Sequence, residues 1–125
     1  MKITSFNPLI MTKQADDLIK LFEELGFEVR HKKKNPGSDD IIDVRMRSEE
    51  GFHVDVAPVD RVPQDVTAIR VNVDDFDEAY NFLIEKGFKN IQGDKISETP
   101  SAVGTAMMSP SGFIIALSHH IKDHD

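Results

Sequence analysis

Residue types able to do chemistry concentrate in one short stretch, Glu50-Gly51-Phe52-His53-Val54-Asp55-Val56. His53 and Asp55 stand two apart with valines between and after them. In a strand that spacing puts the two ionisable side chains on one face and the valines on the other. An imidazole beside a carboxylate can move a proton or, with further donors, hold a metal. The chain before it can close a hairpin through Glu49-Glu50-Gly51, with the glycine available for positive φ. That register sets Arg45 opposite Asp55, Arg47 opposite His53 and Met46 opposite Val54. Opposite charges meet and apolar residues meet, so the register is consistent with itself. The ordinary alternative is a half-exposed strand with a wet face, in which Arg45 and Asp55 form a surface pair worth about 0–1 kcal/mol.

Elsewhere chemistry is thin. His119, His120 and His124 fall in a polar C-terminal segment, and neighbouring histidines on a strand face opposite ways, so solvated side chains are expected there. Ser5, Ser101 and Ser118 have no nucleophile-elbow context, and no phosphate-binding glycine motif is present. The absence of cysteine removes disulfides, thiolate metal sites and thiol nucleophiles. No catalytic residue is assigned.

The elements that must position these residues come in two sets. Ala15, Leu18, Ile19, Phe22 and Leu25 recur with helical period after Thr12, a candidate N-cap. Phe76, Ala79, Tyr80 and Leu83 do the same after Asp75, which with Glu78 resembles a capping box. Each helix runs out at Gly-Phe, Gly26-Phe27 and Gly87-Phe88, and the offset between them is 61 residues. The same offset carries Gly51-Phe52 onto Gly112-Phe113 and Ile10 onto Val71, which reads as a tandem duplication. It also carries His53 and Asp55 onto Ile114 and Ala116, so one copy is ionisable where the other is not. Strands are predicted at 3–11, 27–34, 41–48, 52–57, 66–73, 88–96, 103–109 and 113–120, with helices at 13–25 and 75–86. The fold class is therefore α+β, with two βαβββ units at 1–57 and 66–125 sharing one domain and joined by a proline-bearing connector at 58–65.

Bulk properties exclude several function classes. The 125 residues suit one domain with a real core. Twenty-two acidic residues against 15 basic ones leave a net charge of −7, which argues against nucleic acid as partner. The basic run Arg30 to Lys34 reads as a solvated strand end. The N-terminal MKITSFNPLIM is too short an apolar run for a signal peptide and nothing reaches membrane-span length, so a cytoplasmic protein without membrane contact is expected.

The duplicated βαβββ unit, the helix ending Leu25-Gly26-Phe27 and the late turn Ser109-Pro110-Ser111-Gly112 resemble the vicinal oxygen chelate superfamily of glyoxalase I, bleomycin-resistance proteins and extradiol dioxygenases. The resemblance implies a curved, cup-shaped mixed sheet with helices on its outer face, a homodimer, and enzymes that hold a divalent metal in the cup. It places metal ligands on the first and fourth strands of each unit, at positions matched here by Asn7, Asp55, Ala68 and Ala116. Two alanines, one amide and one carboxylate cannot supply three or four ligands, so no metal and no cofactor is expected. With the valines toward the helices, Arg45, Arg47, His53 and Asp55 would form a charged wall of the cup. Arg70 and Asn72 with Ala106, Met108, Ile114 and Ala116 would form a largely apolar one. The expected function is binding of an amphiphilic small molecule by Asn7, Arg45, Arg47, His53, Asp55, Arg70, Asn72 and Met108. The alternative is a lyase, isomerase or dioxygenase holding metal in an unusual way through Asp55 and His53.

Overall fold

The computed structural model describes residues 1–34, 40–99 and 102–120. In chain order the elements are β1 (Ile3–Thr12), α1 (Ala15–Glu24), β2 (Phe27–Lys34), β3 (Ile41–Ser48), β4 (His53–Pro58), β5 (Val66–Val73), α2 (Phe76–Glu85), β6 (Lys89–Asn90), β7 (Ser97–Thr99), β8 (Ala102–Met108) and β9 (Ile114–His120). No helix among the described residues is long and apolar enough to cross a membrane. Contacts divide the described residues into two compact units, one of Asn7–Thr67 and one of Met1–Phe6 with the described residues from Ala68 to His120. The first six residues join the second unit through specific bonds. The Met1 amino group meets the Glu78 carboxylate at 2.7 Å, and the Lys2 N–H donates to Asp74 at 2.6 Å. That N–H holds the Asp74 carboxyl below its ordinary value.

In the first unit the strands run β2-β3-β4-β1, with β1 parallel to β4 and the other pairs antiparallel. One sheet face carries Val44, Met46, Val54 and Val56, all buried, and α1 covers them with Ala15, Leu18, Ile19 and Phe22. Leu25, expected on that apolar face, is exposed, because the helix ends at Glu24 and the next residue leaves its packed side. Thr12 does not cap the helix. It is fully buried at the end of β1, and its hydroxyl accepts from the Gln14 N–H at 2.9 Å, turning the chain so that α1 starts later.

The second unit repeats the plan, β5-β9-β8-β6, with β7 also on β8. Its core is Val71, Val73, Met107 and Leu117 under Phe76, Ala79 and Leu83 of α2. Asp75 caps α2 by accepting from the Glu78 N–H at 3.1 Å. The return bond of a capping box is replaced by the Glu78 contact to Met1.

Registers repeat at the offset. Leu9 pairs with Asp55 and Arg70 with Ala116; Met46 pairs with Val54 and Met107 with Ile115; Glu28 pairs with Arg47 and Lys89 with Met108. The β3–β4 and β8–β9 turns repeat to the atom. Ser48 and Ser109 each accept, through their hydroxyls, from the N–H of Phe52 and Phe113 at 3.1 and 3.0 Å. Gly51 and Gly112 both sit at φ +97°, where L side chains are strained. One element departs from expectation. The strand predicted at 88–96 is only Lys89–Asn90, after which the chain turns. The Asn90 side-chain oxygen accepts from Gln92 N–H at 2.9 Å and Gly93 takes φ +75°, which ends pairing before β7 begins.

Candidate functional site

The face of the first unit's sheet that turns away from α1 carries the residues singled out by type and spacing. The predicted hairpin register is the observed one: Arg45 opposite Asp55, Met46 opposite Val54, Arg47 opposite His53. Asn7 joins from β1, so three strands contribute to one cluster. Asn7 Nδ2 donates to Asp55 Oδ2 at 2.7 Å, and Arg45 Nη1 lies 3.3 Å from both Asn7 Oδ1 and Asp55 Oδ2. Asn7 Nδ2 also donates to its neighbour's carbonyl, Pro8 O, at 2.9 Å. The triangle is dry: Asp55 is 0 % exposed, Asn7 3 % and Arg45 9 %. The wet-face alternative therefore does not hold for Arg45 and Asp55. A carboxylate taken out of water is tolerated because a guanidinium and an amide both donate to it. The Arg45 Nε is buried too and has no hydrogen-bond partner among the described residues.

The corresponding face of the second unit is chemically different. Ala68, Ala106 and Ala116 stand where the first unit has Asn7, Arg45 and Asp55. Its polar groups lie further along the strands. Arg70 Nη1 donates to Ser118 Oγ at 3.4 Å, Ser118 bonds Asn72, and Asn72 bonds Ser5. Asn72 and Ser118 are buried. Ser5 and Ser118 are members of this cluster that nucleophile motifs could not reveal. The signal for Ser118 was its register, directly beside Asn72. His119 and His120 are strand residues of β9, half-buried, rather than members of a solvated segment, and His119 Nδ1 lies 2.7 Å from Val73 O. His124 lies outside the described residues.

Arg47 and Met108 are placed alike, each beside a cavity at the end of its own unit. In the first unit a space of about 240 Å³ is bounded by Glu28, Arg30, Arg47 and Glu49, with Gly26 and Ser48. In the second a space of about 550 Å³ is bounded by Lys89, Ile91, Met108 and Pro110, with Gly87, Asn90 and Ser109. Every first-unit position has its second-unit counterpart 61 residues on. His53 is half-buried on β4.

The metal implied by the resemblance does not fit these residues. Of the four matching positions, Ala68 and Ala116 offer no donor atom, and the Asn7 amide and the Asp55 carboxylate are bonded to each other and to a guanidinium. Among the described residues no group of three His, Asp or Glu side chains is placed to hold a metal ion.

No protein-family model and no curated protein sequence matches the chain. Solved structures do. A methylmalonyl-CoA epimerase variant from Streptomyces coelicolor, in complex with 2-nitronate-propionyl-CoA, superposes with a TM-score of 0.69 at 14% identity, covering 99% of each chain. A glyoxalase/bleomycin resistance protein/dioxygenase superfamily member from Vibrio splendidus gives 0.62 at 14% identity, over 94% of this chain and 99% of that one. A glyoxalase I mutant from Zea mays gives 0.67 at 13% identity over 98% of this chain, which spans 46% of the maize chain. At such identities the likeness shows architecture and not activity. The chain has the fold of the glyoxalase, bleomycin-resistance and dioxygenase superfamily, without the metal-binding cluster among its described residues.

Proposed function

We propose that the protein binds an amphiphilic small molecule without the help of a metal, on the sheet faces that turn away from the helices. The observation that carries this reading is the dry triangle of Asn7, Arg45 and Asp55, in which Arg45 bonds the two residues that stand at positions where the resemblance implies metal ligands. A buried guanidinium supplies a fixed positive charge there, and its Nε–H is a donor still available to a bound acceptor. Arg47, His53 and Asp55 would orient the polar part of the ligand. On the second unit's own face Arg70, Asn72 and Met108 are the corresponding candidates, in keeping with pockets that are mostly apolar with a few placed polar groups. The test is a thermal-shift screen of metabolites and antibiotics on the wild type and on Arg45→Ala. Ligands bound by this wall stabilise the wild type and lose most of that effect on Arg45→Ala; equal stabilisation of both removes Arg45 from the site. The protein is also proposed to form a homodimer, supported by exposed apolar residues such as Ile3, Phe6 and Phe52. Light scattering behind size exclusion checks this, and a monomer at micromolar concentration contradicts it.

A further inference from the structure

The two end cavities differ in a way that points to a second binding site. Three of the four charged side chains around the first unit's cavity are replaced in the second by Ile91, Met108 and Pro110, and the space is more than twice as large. At about 550 Å³ it falls within the range of about 300–1,000 Å³ typical of small-molecule pockets. Its walls suit an alkyl chain. Ile91 is 48 % exposed, which leaves about half of its aliphatic surface open to a ligand. Met108 is half-buried, and its flexible thioether adapts to varied apolar shapes. The wall at Pro110 is close-packed, since a Cβ on Gly87 would come within 3.3 Å of the proline Cγ. Lys89 is the single ionisable side chain lining the space among the described residues, in a chain of net charge −7.

We infer that this cavity is a site for a monoanionic amphiphile of the alkyl-carboxylate class, with the chain against Ile91 and Met108 and the head group on the Lys89 ammonium. A lysine on a flexible stem meets a carboxylate as a point charge and needs no bidentate geometry. The site shares Met108 with the reading above but goes beyond it, because the ligand here is held by Lys89 and Ile91 and does not depend on Arg45.

The test is titration of protein carrying ¹³C-methyl methionine with butanoate, hexanoate and octanoate, and with 1-octanol, following the Met108 methyl resonance. Kd falls about fourfold for each added methylene if the chain is buried in the cavity. Two exposed positions are changed to their first-unit counterparts, so folding is not at risk and circular dichroism confirms it. Lys89→Glu weakens octanoate at least tenfold and leaves 1-octanol within about twofold; Ile91→Arg abolishes the dependence on chain length. A Met108 resonance that does not respond, an affinity independent of chain length, or equal weakening of acid and alcohol by Lys89→Glu overturns the inference. Failure of the Arg45 reading is seen separately, in the library screen on Arg45→Ala.

Discussion

Asp55 cannot be removed without stranding a charge. Its carboxylate is fully buried and accepts from both Arg45 and Asn7, so Asp55→Ala leaves a guanidinium 9 % exposed with one acceptor fewer. Breaking a buried pair in this way costs about 3–5 kcal/mol, whereas an exposed pair would cost less than about 1 kcal/mol. Asp55→Ala is therefore expected to lower the urea midpoint strongly, while Arg45→Ala combined with Asp55→Ala costs less than the sum of the two single changes. Additive losses would show that the two side chains do not act as a pair. Much of this cluster could be read in the residues. Alternation fixed which side chains share a face, and charge matching fixed the hairpin register. Burial could not be read the same way, because a strand of alternating valines and ionisable residues has the same pattern whether its polar face is wet or covered. The place of Ser5 beside Asn72 was illegible for a related reason: hydroxyl and amide partners are chosen by three-dimensional proximity and leave no spacing in the sequence.

At the level of elements, the positive-φ glycines at the helix ends make a controlled comparison. Gly26 and Gly87 occupy equivalent turns at φ +105° and +94°. An added Cβ meets nothing within 4 Å at Gly26 but lies 3.3 Å from Pro110 Cγ at Gly87. Gly26→Ala should then show the conformational cost alone, about 1–2 kcal/mol. Gly87→Ala should cost more in urea unfolding, and Pro110→Ala in the same chain should remove the excess. Equal costs would mean that the proline yields freely. These turns were legible because glycine at the end of a helical period has a mechanism behind it. The strand misplaced at 88–96 was not. Asn90 and Gly93 each tolerate extended as well as turn conformations, and the choice was settled by side-chain bonds of Asn90 to Thr105 and to Lys95 O.

For the molecule as a whole, one repeated offset made the architecture legible, because two βαβββ-like units of one plan must place their glycines, helices and hairpins at the same spacing. Differences between the units carried the rest: positions that hold Asn7, Arg45 and Asp55 in one hold alanines in the other. That asymmetry bears directly on whether the fold's metal chemistry is retained. A divalent ion at Asp55 would share the carboxylate with a buried guanidinium whose Nη1 already lies 3.3 Å from Oδ2. Repulsion between two cations on one carboxylate, in a water-poor site, opposes binding. Protein purified without chelator is expected to carry less than about 0.1 equivalent of Ni, Zn, Fe or Mn by elemental analysis, and millimolar Ni²⁺ or Zn²⁺ should leave the melting temperature of wild type and Asp55→Ala equally unaffected. Removing the guanidinium changes the balance: Arg45→Ala frees the carboxylate of its competing cation, so any latent metal affinity should emerge there first, as a metal-dependent rise in melting temperature. Stoichiometric metal in the wild type, lost in Asp55→Ala, would reverse the assignment and make the protein a metal-dependent member of its fold.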